Sequence, residues 1–118
     1  MHILGQVSFP VGYPLVGHAG EPAAVYTLRY AGGKIQKLPV CNGIEVAQSN
    51  CIDRASRIAP IATAAQPAVL YIKDISRERY QILLWSIPTQ SEELVSLQCR
   101  LNSNQPALAI FAITAEHA

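Results

Sequence analysis

The chain is short of charge. Charged residues make up 14% of its 118 positions, against an average of about 25% in soluble domains. Nine Lys and Arg balance eight Asp and Glu, which leaves a formal net charge of +1. This excess gives no general attraction to nucleic acid or to an anionic membrane surface. Because a small domain has few charges here to cover its surface, we expect part of that surface to be buried against another copy of the chain.

Long apolar runs are also missing. None reaches the ~18 residues that a membrane-spanning helix needs, and the uncharged run from Ile58 to Ile72 is interrupted by Pro60 and Pro67. No basic segment followed by an apolar stretch opens the chain, so the sequence predicts no signal peptide. We therefore expect a cytoplasmic protein with no membrane partner.

Cysteine is scarce, and its spacing excludes two kinds of site. Cys41, Cys51 and Cys99 are odd in number, widely separated and without a Cys-x-x-Cys pair, so they predict neither a disulfide framework nor a zinc site. We expect buried, reduced thiols, no metal site and no cofactor. Cys51 is the best candidate nucleophile because it would lie in the first turn of a predicted helix, but structural burial is favoured there too.

Two hairpins stand out among the elements that are present. Alternating residues from Ala23 to Tyr30 lead through Gly32-Gly33 into a returning run from Ile35 to Val40. The glycine pair tolerates the positive φ that a tight turn requires. Apolar runs at 68–75 and 80–87, separated by a polar turn, predict the second hairpin.

Two helices are predicted between and after these strands. The first runs from Asn50, or from near Glu45, to Pro60, because Ile52, Ala55, Ile58 and Ala59 follow helical spacing. The second covers 89–102. It opens with the sequence Thr-x-x-Glu of a capping box, and leucines 94, 97 and 101 follow at helical spacing.

The order of these elements predicts one α+β domain over residues 1–118. From Lys34 onward it reads βαββαβ, the ferredoxin-like order, with an antiparallel sheet and both helices on one face. A strand and a hairpin precede it as an N-terminal extension, and the apolar run 107–114 is expected to be a central strand.

The predicted sheet has an apolar second face that the helices would leave open. The candidates for this face are Val69, Tyr71, Leu83 and Trp85, together with either Leu108 and Ile110 or Ala109 and Phe111. Either the N-terminal strands or a second subunit must cover it. We therefore expect a homo-oligomer, a dimer or a trimer.

The segment from Phe9 to Pro22 holds three of the seven glycines. Its Gly-x-x-x-x-Gly spacing is that of a phosphate loop, but His18 and Ala19 occupy the positions where that chemistry needs Lys and Ser or Thr. A nucleotide-binding loop is therefore excluded. Tyr13, His18 and Glu21 remain candidate ligand-binding residues on this loop, since a histidine can act as acid or base near neutral pH.

The leading functional hypothesis is a small self-associating binding or regulatory module, whose partner is a protein or a small ligand. The competing hypothesis is a small oligomeric enzyme or small-molecule-binding protein. Its pocket would lie at a subunit interface, lined by the 9–22 loop with Tyr13, His18, Glu21 and Arg29. No catalytic motif is evident, which favours the first hypothesis.

Nucleic-acid binding is the third hypothesis. Tyr26, Tyr30, Arg29, Lys34 and Lys37 cluster on the first hairpin, and basic and aromatic residues together can hold a single strand. The aromatic motif of RNA-recognition domains is absent, so an ordinary hairpin with its tyrosines facing inward is the favoured interpretation.

Overall fold

The computed structural model describes residues 1–5, 7–8, 20, 22–49, 62–72, 79–101 and 108–116. These residues contain ten β-strands and no α-helix. The strands are β1 His2–Gly5, β2 Val7–Ser8, β3 Pro22–Tyr30, β4 Ile35–Cys41, β5 Ala47–Gln48, β6 Gln66–Ile72, β7 Arg79–Ser86, β8 Leu94–Leu101, β9 Leu108–Ala109 and β10 Ala112–Thr114.

The described strands form two antiparallel sheets and a small mixed sheet. Sheet I has the strand order β10-β1-β7-β6, and sheet II has the order β4-β3-β8. The short sheet III has the order β5-β2-β9, in which β2 runs parallel to β5 and antiparallel to β9.

Strand β3 lies at the centre of sheet II, and its apolar and polar residues alternate. Tyr26, Leu28 and Tyr30 are buried on one face, while Arg29 on the other face is exposed. Alternation of this kind is expected where one face of a sheet packs on a core and the other meets solvent. The buried face of β3 therefore fixes which side of sheet II points inward.

The two main sheets pack through these inner faces. Ile3 of β1 and Leu83 and Trp85 of β7 are buried in sheet I, in one cluster with the inner residues of β3. The rings of Tyr26 and Trp85 lie 5.9 Å apart at an interplanar angle of 32°, a separation typical of favourable aromatic pairs. The core of the described residues thus lies between sheets I and II.

The predicted α+β, ferredoxin-like fold is wrong. Every regular element in the described residues is a β-strand. The N-terminal strand and the first hairpin belong to the two main sheets and are not an extension. Strand β1 has β10 and β7 as neighbours, and β3 has β4 and β8 as neighbours. The apolar face was expected to be covered by the N-terminal strands or by a second subunit. At Leu83 and Trp85 it is covered by sheet II of the same chain, which includes the N-terminal strand β3.

The predicted helix over 89–102 is also wrong, because Leu94–Leu101 is strand β8. The register between β3 and β8 shifts between Arg29 and Tyr30, where Ser96 pairs with Arg29 and Leu94 pairs with Tyr30. Leu94 and Leu97 consequently share the inner face of the sheet although they are three residues apart. A β-bulge inserts one extra residue, so it produces the spacing that predicted a helix.

The first predicted helix is contradicted where it can be compared. Its proposed early start at Glu45 lies in a turn, and Ala47–Gln48 is strand β5. The remainder, 50–60, lies outside the described residues. The run 107–114 is not a central strand either, because β9 and β10 are both edge strands in their sheets.

Both predicted hairpins are confirmed. β3 pairs with β4 in antiparallel register, with Gly33 at φ +85° in the turn between them, and β6 pairs with β7 in antiparallel register. Within the described part of the chain there is no helix with the length and apolar composition to span a membrane.

Candidate functional site

The outer face of sheet II carries a group of cationic side chains. Residues directly opposite each other on antiparallel strands point to the same face, so the register assigns nine residues to this surface. They form three rows across the sheet: Ile35, Arg29 and Ser96; then Lys37, Thr27 and Gln98; then Pro39, Val25 and Arg100. We call this surface the cationic face.

The cationic face contains three positive residues and no carboxylate. Arg29, Lys37 and Arg100 are all exposed. Strand and row spacings place their Cα atoms within about 8 to 15 Å of one another. Among the described residues the only ion pair joins His2 and Glu116, so none of these three cations is neutralised by a described carboxylate. Such a surface attracts anions from solution.

Tyrosines are absent from the cationic face because they point the other way. Tyr26 is fully buried, and Tyr30 donates a 2.8 Å hydrogen bond from its hydroxyl to Gln36 Oε1. The inward orientation predicted for the tyrosines of this hairpin is therefore confirmed. Neither ring is available to stack on a base, although stacking is the usual means of holding a single strand.

A second polar group lies at one end of sheet I. His2 Nδ1 is 2.8 Å from Ser86 Oγ, and His2 Nε2 is 2.8 Å from Glu116 Oε1. His2 and Ser86 are register partners on β1 and β7, while Glu116 follows β10, the neighbour of β1 on its other side. The order β10-β1-β7 therefore brings together three residues that are far apart in the sequence.

An open cleft of about 480 Å³ adjoins this group. Its lining includes His2, Ser86 and Glu116, and the segment Ile87–Thr89 completes it together with Met1. The segment is held in place because Met1 and Ile87 exchange backbone hydrogen bonds, 3.0 Å from the N-terminal ammonium to Ile87 O and 2.8 Å from Ile87 N to Met1 O. The cleft lies within the range of small-molecule sites, about 300 to 1,000 Å³.

The described thiols are poor nucleophiles at neutral pH. Cys41 and Cys99 are free. Burial raises the pKa of Cys41, and the nearby Glu45 carboxylate raises it further. Cys99 is exposed as a residue, but its sulfur is partly buried beside Tyr26; this partial burial raises the pKa of the thiol, although a hydrogen bond with the Tyr26 hydroxyl lowers it. The prediction that Cys99 belongs to the core is wrong, because it is an exposed residue on β8.

Of the residues predicted to bind a ligand, only Arg29 lies in the described part of the chain, where it forms part of the cationic face. Tyr13, His18 and Glu21 lie outside the described residues, and a pocket lined by the 9–22 loop stays a prediction. No group of three or more His, Cys, Asp or Glu side chains in the described ranges could hold a metal ion.

Sequence reasoning missed four of the residues in these two places. Arg100 was assigned to a helix, and only the pairing of β8 with β3 places it beside Arg29. His2, Ser86 and Glu116 belong to no motif, and no local spacing relates them. These three residues could be grouped only by knowing that β1 lies between β7 and β10 in the sheet.

Comparison with protein-family models, with curated proteins and with solved structures finds no match for this chain.

Proposed function

We propose that this protein is a binding module whose cationic face holds an acidic, extended segment of a partner protein. The observation that carries the proposal is the presence of Arg29, Lys37 and Arg100 on one exposed sheet face without a carboxylate. Because the chain as a whole is nearly neutral, the concentration of cations on one surface is a local property of this sheet. Charge complementarity then selects an anionic partner.

The chemistry of the face favours a peptide over a nucleic acid. Three uncharged polar residues and three apolar residues separate the cations, and Ile35 is half exposed among them. An extended peptide places every second side chain on one side at about 7 Å intervals, which matches the row spacing of the sheet. A single-stranded nucleic acid would need exposed aromatic rings, and the face carries none.

Fluorescence anisotropy of a short, fluorescein-labelled Glu-rich peptide tests this proposal. We expect binding that weakens as salt is added, since exposed charges are screened. Replacing Arg29, Lys37 or Arg100 by Ala should weaken binding by about fivefold each, which corresponds to about 1 kcal/mol per charge.

Lys34→Ala provides the matched control. Lys34 is a cation in the turn of the same hairpin, but its Nζ donates to Gln90 Oε1 at 2.8 Å, and it is not part of the cationic face. Its replacement should leave binding unchanged. The proposal fails if the peptide does not bind, if the triple Ala variant binds as well as the wild type, or if an oligothymidylate binds more tightly than the peptide.

We also propose that the chain associates with a second copy through β10. This strand lies at the edge of sheet I, and Phe111 and Ile113 beside and within it are 58% and 47% exposed. An edge that no described strand covers, with apolar side chains, is a template for pairing with another strand. Two β10 strands in antiparallel contact would form a symmetric interface, in which the same surface meets itself.

The surface available for association is the edge of sheet I and not its inner face. Leu83 and Trp85 are buried within the chain and are unavailable to a partner. Light scattering at micromolar concentration should give a dimer, and Ile113→Asp should give a monomer that remains folded by circular dichroism. The matched control is Val95→Asp on β8, which is also exposed and should stay dimeric. A monomeric wild type would contradict the proposal.

A cytoplasmic location belongs to the same proposal. The free thiols of Cys41 and Cys99 are compatible with a reducing compartment. Fractionation of the native host, with an antibody against the chain, would test it.

A further inference from the structure

Ser86, His2 and Glu116 form a continuous hydrogen-bonded chain that opens onto the cleft at the end of sheet I. We propose that Ser86 is a nucleophile for small acyl esters, with His2 as its general base and Glu116 as the residue that positions His2. The inference is independent of the cationic face, which shares no residue with this group.

For a neutral His2, hydrogen-bond chemistry determines which ring nitrogen carries the proton. An ionised carboxylate can only accept, so Glu116 requires a proton on His2 Nε2, 2.8 Å away. A neutral imidazole then carries no proton on Nδ1, which becomes an acceptor. The Ser86 hydroxyl, 2.8 Å from Nδ1, donates to it. This is the arrangement of an activated serine, in which a base contacts the nucleophile and a third group orients the base.

A simple cross-strand contact would explain only part of this geometry. His2 faces Ser86 across β1 and β7, and such pairs often form hydrogen bonds. Glu116, however, comes from beyond β10 and engages the opposite ring nitrogen. The side chain of His2 remains 34% exposed, so the group is accessible from the cleft. Ser86 also lines a second open cleft of about 330 Å³ beside β6, so its hydroxyl can be approached from two directions.

The reaction balances without a cofactor. Ser86 Oγ bonds to the ester carbonyl carbon and its proton passes to His2 Nδ1. The bond from that carbon to the alcohol oxygen breaks, and His2 returns the proton to the departing alcohol. Water then attacks the acyl-serine by the same route and releases the carboxylic acid. Thr89 lines the same cleft, and a hydroxyl of this kind can donate to a developing oxyanion.

A fluorophosphonate probe and p-nitrophenyl acetate test the proposal on the untagged chain, because the N-terminal ammonium takes part in the local structure. The probe should label Ser86, with fluoride leaving as the P–O bond forms, and mass spectrometry of the digest identifies the labelled residue. Ser86→Ala should abolish labelling and ester hydrolysis. His2→Ala should lower kcat by at least about tenfold, since a general base typically contributes about a hundredfold or more.

Glu116→Gln tests positioning separately, because it should lower kcat while KM stays unchanged. Ser91→Ala is the matched control, since Ser91 is an exposed serine outside the cationic face and has no histidine partner in the described residues, and it should behave as the wild type. The proposal is overturned if the probe labels no residue, if it labels other serines equally, or if labelling and kcat are unaffected in His2→Ala that circular dichroism shows to be folded.

Discussion

At the scale of single residues, Gly5 has the most demanding position in the described backbone. It ends β1 with φ +125°, and a Cβ atom built on it would lie 2.5 Å from Ala109 O and 2.8 Å from Ile110 Cα. Both contacts are with backbone, which cannot move aside as a flexible side chain can. The close approach of β1 to the chain between β9 and β10 therefore depends on glycine.

Gly5→Ala should lower the free energy of unfolding by more than about 2 kcal/mol, because backbone strain and overpacking add. Gly33→Ala is the control. Gly33 also has positive φ, at +85°, but a Cβ there would meet no atom within 4 Å, so only the conformational cost of about 1 kcal/mol applies. Urea denaturation measures both. Equal losses would contradict the packing argument at Gly5.

Tyr26 links the stability of the fold to pH. Its pKa is raised above the usual value near 10, first by burial, then by the Cys99 charge and by the hydrogen bond to Cys99. At alkaline pH the unfolded chain loses this proton before the folded chain does, so it binds fewer protons. Stability from this group is complete below pH about 10 and decreases as pH rises above that value.

We therefore expect the free energy of unfolding to fall above pH about 10, by up to about 1.4 kcal/mol per pH unit from this tyrosine. Tyr26→Phe should remove that part of the slope, and urea titrations at pH 8 to 11 measure the difference. If the wild type and Tyr26→Phe lose stability in parallel over that range, Tyr26 does not titrate as its burial implies.

At the scale of elements, a strand's position in its sheet decides how much one side chain stabilises. Leu28 on the central strand β3 is fully buried, whereas Leu101 on the edge strand β8 is 50% exposed. Leu28→Ala should cost about 2 to 5 kcal/mol, and Leu101→Ala less than about 1 kcal/mol. Chemical denaturation compares the two, and similar costs would mean that β8 is covered in solution, for example by a second copy.

Sheet II also shows how far local sequence predicts the pairing of strands. β3 and β4 are neighbours in sequence, are joined by a glycine turn and alternate with period two, so the hairpin could be predicted from the sequence alone. β8 alternates in the same way from Leu97 to Leu101, but the bulge beside Ser96 imitates a helical period, and the Thr89–Glu92 capping box reinforced the wrong element. Only pairing with β3 distinguishes the two interpretations.

The two candidate sites also differ in how far the sequence alone predicts them. Arg29 and Lys37 belong to the local hairpin and were recognised as a group from the sequence. Arg100 joins them only through the β3–β8 register. Ser86 reaches His2 only through the β1–β7 register. Contacts between distant segments leave no local signature, so the cationic face was partly predictable and the serine group was not.

At the scale of the whole molecule, one core connects the two main sheets. Trp85 is the single tryptophan, and it packs on Tyr26 of the opposite sheet. Its fluorescence therefore reports contact between the sheets, while far-UV circular dichroism reports the strands themselves. Because neither sheet can bury its inner face alone, we expect the two signals to follow a single urea transition. Separate midpoints would show that the sheets unfold independently.

The position of β1 between β7 and β10 has a consequence for synthesis. This strand leaves the ribosome well before its two hydrogen-bonded neighbours, β7 and β10, which lie much later in the chain. Until then its backbone and the apolar side chain of Ile3 stay without their native partners, and such segments are prone to aggregate. Chaperone binding to the nascent chain should therefore matter more here than for a fold built from neighbours in sequence.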